Sequence, residues 1–148
     1  TDRPAWNGMM SSARVVEEKE GHLYFHMHPQ VDAYLSVETT AEEAAESGKV
    51  FRIRTDLSEG ETLNIGGYVI SRSEGKIIGD RSAVFDGCDE VRTVGATPVI
   101  EDAAQLDILV NDHLIEIFVN DGQYVLSHVV YGKSKKISGK YEKVLVGK

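Results

Sequence analysis

Three apolar runs of strand length follow one another between residues 104 and 131. They cover residues 106–110, 114–119 and 124–131, and each is rich in the β-branched and aromatic side chains that favour strands. The break before the third run contains Asp121-Gly122. An Asp-Gly step between two such runs is a strong hairpin signal, because glycine adopts the positive φ of a tight turn. The pattern predicts a three-stranded antiparallel meander.

Strand-like segments continue on the N-terminal side of the meander. Residues 13–18 and 22–28 flank Glu20-Gly21, which predicts a hairpin. Residues 31–39 alternate loosely and predict a third strand. Residues 40–46 have the one helical pattern, with Thr40 as N-cap and Glu43 three residues later in a capping box.

The middle of the chain alternates with a period of two, which predicts strands at residues 50–55, 62–71, 76–78 and 90–94, and a last one at 140–146. Gly66-Gly67 falls inside the second of these and predicts a bulge or a close approach of the backbone. Roughly ten to twelve short strands with turn signals every ~8–12 residues predict an all-β fold. We expect a two-sheet antiparallel β-sandwich of jelly-roll or concanavalin-like form, with at most one short helical turn.

Composition narrows the class of protein. The chain has 148 residues, enough for one domain with a real core. Its net charge of −8 argues against nucleic acid and anionic membranes as partners, since phosphate contacts need clustered Lys and Arg. No apolar run reaches the ~18–20 residues that span a bilayer. Cys88 is the single cysteine, which excludes an internal disulfide and weakly favours a reducing, cytoplasmic location.

The most unusual polar residue is Glu116, in the middle of the strongly apolar run 114–119. Ile115, Ile117 and Val119 share one face of that strand, and Glu116 lies on the other. A carboxylate there is costly unless it is paired. The sequence leaves two alternatives open, an ion pair with an arginine such as Arg81, Arg52 or Arg54, or exposure to solvent on an open sheet face.

Other polar groups are explained by structure more readily than by chemistry. Asp80-Arg81-Ser82 could bind sugar hydroxyls, but a turn capped by Asp80, with Arg81 on a carboxylate, explains it without a ligand. His26 and His28 would share a strand face, yet a metal site needs three or four converging ligands. No residue pattern indicates a nucleophile elbow, a phosphate loop or two opposed acids. We therefore expect no catalytic residues, metal or cofactor in this chain.

The meander resembles the C-terminal β-sandwich of glycoside hydrolase family 32, which contains invertases, levanases, inulinases and sucrose-6-phosphate hydrolases. That module has a pattern of the form Leu-x-Ile-x-Val-Asp-x-Ser-x-x-Glu-x-Phe-x-Asn-x-Gly, followed by a strand that ends in an aromatic residue. The matching positions here are Leu106, Ile108, Val110, Glu116, Phe118, Asn120, Gly122 and Tyr131. Asn111 stands where the family usually has Asp, and His113 where it usually has Ser.

Two further stretches fall in the right order for the same family. Asp80-Arg81-Ser82 with Val84-Phe85 is similar to an Asp-Arg-Ser motif of the sandwich. Trp6-Asn7-Gly8, then Arg14 and Gly21-His22-Leu23, is similar to the end of the preceding catalytic domain. The resemblance implies that residues 1–30 are a lead-in from that domain with the first strands, and that residues 31–148 are the sandwich module.

In that family the catalytic residues lie in a five-bladed propeller that precedes the sandwich. Its Asn-Asp-Pro-Asn, Arg-Asp-Pro and Glu-Cys segments do not occur in this sequence. The resemblance therefore implies a non-catalytic module that stabilises the propeller of a β-fructofuranosidase acting on sucrose or fructans, with a homo-oligomeric contact as a further candidate role. The alternative is a module that binds a fructose-containing carbohydrate through Asp80, Arg81, Glu116 and Tyr68.

Overall fold

The computed structural model describes residues 9–85 and 90–148. The predictions that involve Trp6 and Cys88 lie outside these residues. The elements in chain order are β1 (Arg14–Lys19), β2 (His22–Met27), α1 (Pro29–Tyr34), β3 (Leu35–Thr39), α2 (Ala41–Glu46), β4 (Phe51–Leu57), β5 (Thr62–Ile65), β6 (Tyr68–Ser73), β7 (Lys76–Asp80), a 3-10 helix (Ser82–Val84), β8 (Val94–Ala96), β9 (Ala104–Val110), β10 (Leu114–Val119), β11 (Tyr124–Val129), β12 (Ile137–Gly139) and β13 (Lys143–Gly147).

Two antiparallel sheets form the predicted sandwich. One has six strands in the order β11-β10-β9-β4-β13-β3, and the other has five in the order β12-β5-β6-β7-β8. The predicted meander is confirmed as β9, β10 and β11, paired antiparallel. Neither described helix is long and apolar enough to cross a membrane.

The main core lies between the two sheets. Ile115, Ile117 and Val119 of β10 point into it and are fully buried, as are Ile53 of β4 and Ile70 of β6. Successive side chains of a strand point to opposite faces, so every second side chain of each central strand points into this main core. Burial of each such side chain contributes about 1.5–3 kcal/mol.

The outer face of the six-stranded sheet is covered as well. The two-stranded hairpin β1–β2 and the helix α1 lie over it, and Leu35, Leu109 and Phe118 form a second, smaller buried cluster beneath them. This cover explains why every residue of β10 is buried. The predicted division between residues 30 and 31 falls inside α1, and the hairpin assigned to the lead-in packs on the sandwich.

The prediction of one strand over residues 31–39 is wrong in its first half. Residues 29–34 form α1, and the strand β3 begins at Leu35. The helix starts because Pro29 supplies a preset φ in its first turn, while His28 Nδ1 accepts a hydrogen bond from the Gln30 backbone N–H at 3.2 Å. The second helix is confirmed: Thr40 caps α2 and accepts from the Glu43 N–H at 3.1 Å.

The prediction of a continuous strand through Gly66-Gly67 is also wrong. The two glycines form the tight turn of the β5–β6 hairpin, with φ of +61° and +108°. The close backbone approach is confirmed, since a Cβ on Gly66 would lie 2.1 Å from the Ser134 carbonyl oxygen. Smaller differences are that β8 starts at Val94, that β13 starts at Lys143, and that β12 was not predicted.

Candidate functional site

Glu116 occupies the covered outer face of the six-stranded sheet. Alternation along β10 places it between Leu114 and Phe118, with Leu109 and Ser127 as its cross-strand neighbours. Its side chain is 4% exposed. A carboxylate this deeply buried needs compensating donors to remain ionised.

The N-terminal hairpin supplies those donors. Arg14 Nη2 lies 2.7 Å from Glu116 Oε1 and also donates to Ser127 Oγ at 2.8 Å. The Ser12 backbone N–H donates to both carboxylate oxygens, at 3.1 and 3.3 Å. The Arg14 guanidinium lies 5.6 Å from the centre of the Phe118 ring. Glu116 therefore anchors the start of β1 to the middle of the sheet.

Of the two alternatives left open for Glu116, an ion pair with an arginine is confirmed and exposure to solvent is wrong. The partner is Arg14, which was not among the candidates Arg81, Arg52 and Arg54. Arg52 is buried and pairs instead with two other acids. Its Nε donates to Asp107 Oδ1 at 2.6 Å, its Nη2 donates to Asp107 Oδ2, and its Nη1 lies 2.6 Å from Asp32 Oδ1. Because Asp32 belongs to α1 and Asp107 to β9, these two ion pairs of Arg52 hold the helix against the sheet.

Beside Glu116 is an open, largely apolar cleft of about 430 Å³. Ser12 and Met10 form one wall, Val31 and Tyr34 of α1 another, and the Glu116 carboxylate lies at the floor. Glycoside hydrolysis by the usual route requires two carboxyl groups about 5–10 Å apart. Glu116 is the one acid that lines the cleft, so among the described residues this cleft does not present an acid pair.

Asp80-Arg81-Ser82 has a structural role at the end of β7. The Asp80 carboxylate accepts from the Ser82 backbone N–H at 2.8 Å and from the Ser82 hydroxyl, which closes the turn as the turn interpretation predicts. Within residues 9–85 and 90–148, the Arg81 guanidinium has no carboxylate partner. Its guanidinium donates to the carbonyl oxygens of Val129 at 2.9 Å and Arg92 at 2.7 Å, so it joins the two sheets through main-chain contacts.

Tyr68 lies in the core close to this turn. It is fully buried, and its hydroxyl lies 2.7 Å from His128 Nδ1. Burial raises the pKa of Tyr68 well above its ordinary value, and the nearby Arg81 opposes this only in part. Burial, together with the charge of Arg81, lowers the pKa of His128. The neutral forms of both rings are therefore favoured, and their hydrogen bond needs no charge.

The four residues predicted to bind sugar do not meet on one surface. Tyr68, Asp80 and Arg81 lie near one another in the five-stranded sheet, whereas Glu116 faces away from that sheet. Tyr68, Arg81 and Glu116 are buried, and Tyr68 does not offer its ring face to solvent. The carbohydrate-binding role stays a prediction that this arrangement does not favour.

His26 in β2 and His28 just after it have polar partners of other kinds. His28 caps α1, and His26 lies between the carboxylates of Glu17 and Asp121. No cluster of three or more His, Cys, Asp or Glu side chains suited to a metal ion occurs within residues 9–85 and 90–148.

Together these features define a β-sandwich module whose six-stranded sheet is covered on its outer face by an N-terminal hairpin held through a buried ion pair. A family model for the C-terminal domain of glycosyl hydrolases family 32 matches residues 11–143, and the chain belongs to this family. The chain has no match among curated proteins.

Two solved structures have a similar fold. For the sucrose-6-phosphate hydrolase from Lactobacillus gasseri the TM-score is 0.75 at 21% identity, over 91% of this chain and 33% of that one. For the exo-inulinase from Aspergillus awamori the TM-score is 0.56 at 16% identity, over 89% of this chain and 33% of that one. The chain thus spans about a third of the length of either enzyme, and at these identities the likeness concerns the fold alone.

Sequence reasoning missed Arg14 as the partner of Glu116 and Asp32 as a partner of Arg52. Arg14 is 102 residues from Glu116 in the chain, and strand periodicity carries no information about contacts at that separation. One signal was available. A buried acid in a strand requires a cation, and Arg14 sits at the entry to a hairpin that had no other assigned partner.

Proposed function

We propose that this chain is the C-terminal sandwich of a larger hydrolase that acts on sucrose or on fructans. In this proposal the sandwich does not catalyse. It braces a catalytic domain that precedes it in the same polypeptide, which the family resemblance identifies as a five-bladed propeller.

The observation that carries the proposal is the pairing of Glu116 with the segment that leads into the sandwich. This acid belongs to the family pattern of the meander, and its charge is neutralised by Arg14 and the Ser12 N–H. A carboxylate held in this way serves as an anchor for the incoming chain rather than as an acid or a nucleophile. Its position fixes residues 12–14, where a preceding domain would be joined, to the centre of the six-stranded sheet.

Two measurements test the proposal. The purified chain, incubated with sucrose, sucrose 6-phosphate, inulin or levan, should release no fructose; turnover above a buffer blank would show that the sandwich itself is catalytic. The full-length polypeptide should then be compared with a version that ends before residue 9. We expect the shortened protein to lose thermal stability and soluble yield, and an unchanged Tm and activity would exclude a bracing role.

The alternative role is a module that binds fructan or fructose through Asp80, Arg81, Glu116 and Tyr68. Titration calorimetry with levan and with fructose separates the two roles. Heat that saturates with ligand and is lost in Asp80→Asn would favour the binding role, since Asp80 is the member of the set whose side chain is not buried. The bracing role predicts no heat at millimolar ligand.

A further inference from the structure

His26 stands at the point where the N-terminal hairpin touches the meander. Its Nε2 lies 2.7 Å from Glu17 Oε2 on the neighbouring strand β1. Its Nδ1 lies 3.3 Å from Asp121 Oδ2, in the turn between β10 and β11. The two ring nitrogens thus face carboxylates from two different parts of the fold.

The contacts of both ring nitrogens with carboxylates can be made as hydrogen bonds in one protonation state of the ring. An ionised carboxylate only accepts hydrogen bonds, so both nitrogens must carry a proton, and the ring is then an imidazolium. A neutral ring would turn a lone pair toward Glu17 or toward Asp121. Partial burial lowers the pKa of His26, but the hydrogen bonds and charges of Glu17 and Asp121 outweigh it, and the pKa is raised above its ordinary 6.5.

The turn that carries Asp121 is also where the hairpin is bound by main-chain contacts. The Phe25 N–H donates to the Gly122 carbonyl oxygen at 2.8 Å. A Cβ on Gly122 would lie 2.2 Å from the Phe25 carbonyl oxygen, so hairpin and turn are in close contact. His22 Nε2 lies 2.7 Å from the Gln123 carbonyl oxygen. A carbonyl accepts, so Nε2 donates, and a neutral or a protonated His22 can make this bond.

Three elements present groups to His26. Glu17 comes from β1, Tyr24 stacks on the ring from β2 at 5.8 Å between centroids, and Asp121 comes from the turn. Lys19 Nζ lies 5.5 Å from the Tyr24 ring centre. The charges in hydrogen-bonding contact with the imidazole are therefore both negative.

We propose that His26 makes the docking of the N-terminal hairpin on the β10–β11 turn sensitive to pH, with the hairpin held more tightly when the ring is protonated. The sign follows from linkage. For a group whose pKa is raised by folding, the added stability is fully present below the unfolded value of about 6.5 and is lost as the pH rises through the folded value. One cross-strand position away from His26, the Arg14–Glu116 ion pair provides a second anchor for the hairpin. The proposal concerns this chain alone and does not depend on the hydrolase assignment.

The test is a proton NMR titration of this chain combined with amide exchange. We expect the His26 ring to titrate above 6.5, and the protection factor of the Phe25 amide to fall about two- to fivefold between about pH 5.5 and about pH 8, the range that one exposed ion pair supports. Protection factors remove the intrinsic pH dependence of exchange. The Ile108 amide, in the centre of the six-stranded sheet, reports global unfolding.

The diagnostic variant is Asp121→Asn. Asp121 has φ of +59°, and asparagine also tolerates this region, so the turn should persist. We expect the His26 pKa to drop toward 6.5 and the pH dependence at Phe25 to shrink, whereas Asp102→Asn, an exposed loop substitution with the same charge change, should alter neither. A wild-type His26 pKa at or below 6.5, flat protection at Phe25, or equal effects of the two variants would each overturn the proposal.

Discussion

Replacing Arg14 by methionine removes the cation from a buried carboxylate while keeping an unbranched side chain in its place. In the native protein Glu116 accepts one charged hydrogen bond from Arg14 and a shared bond from the Ser12 N–H. After Arg14→Met, the Ser12 N–H is the donor that remains among the described residues. Breaking a buried pair from one side costs about 3–5 kcal/mol, because the other charge stays buried without compensation.

Two structural details place the expected loss at the lower end of that range. The Arg14 side chain is 22% exposed, so water already reaches one side of the pair. The hairpin can also detach and hydrate Glu116, which limits the loss to the free energy of its docking. We expect about 3 kcal/mol, and at about 2–4 °C per kcal/mol for a domain of this size the Tm should fall by about 6–12 °C.

The reverse substitution should cost less. In Glu116→Gln the uncompensated charge is Arg14, whose longer and more exposed side chain can turn to solvent, whereas Glu116 is 4% exposed and cannot. The double variant Arg14→Met with Glu116→Met removes both charges and should recover much of the loss. Arg54→Met is the matched control: Arg54 is 56% exposed on the same sheet face, and we expect a change within about 0.5 kcal/mol.

Urea unfolding followed by circular dichroism supplies the free energies, and the wild type, Arg14→Met, the single variant Glu116→Met and the double variant together form a double-mutant cycle. Equal losses in Arg14→Met and Glu116→Gln would refute the argument from unequal burial. A loss in Arg14→Met no larger than that in Arg54→Met would refute the anchoring role of the pair altogether.

Three further predictions follow from other parts of the fold. Gly66→Ala should destabilise by at least about 2 kcal/mol in urea, because its Cβ would meet the Ser134 oxygen at 2.1 Å and its φ is +61°. Arg52→Lys should cost about 1–3 kcal/mol in the same assay, since one ammonium cannot span both Asp107 oxygens. Because the pKa of His128 is lowered, the stability from its neutral ring is present above pH about 6.5 and is lost as the pH falls through the folded value; His128→Asn should flatten the acid side of a Tm–pH curve.

The strands of the meander could be predicted because their determinants are local. Ile115, Ile117 and Val119 alternate with the second face of β10, and Asp121-Gly122 forms the turn, where both residues have positive φ. Alternation also indicated that both faces of β10 are apolar. It could not indicate that one face meets the partner sheet and the other meets a hairpin from the N-terminus.

The errors arise where two local signals compete. Residues 31–34 contain valine and tyrosine, which favour strands, yet His28 and Pro29 provide a helix start that outweighs them over six residues. Gly66-Gly67 is compatible with a bulge inside a strand and with a two-residue turn. The choice of the turn depends on Ser134, whose backbone approaches Gly66 from a distant part of the chain.

The site depends on contacts between residues far apart in the chain, and these contacts are made by charged side chains. Residues 12–32 are held on the outer sheet face by charged side chains at three places, through Arg14, His26 and Asp32. The apolar cluster beneath them is small, and the hairpin leaves Val16 and Leu23 more than half exposed. The main core between the sheets does not include these elements.

Ion pairs exposed to solvent weaken with salt, whereas buried ones are screened much less. Because Asp121 is 87% exposed and Glu116 is 4% exposed, salt should weaken the His26–Asp121 contact before the Arg14–Glu116 pair. The hairpin is thus a layer attached to a sandwich whose own stability comes from elsewhere, and amide exchange at rising salt should show the Phe25 amide losing protection before the Ser12 amide, which donates to Glu116.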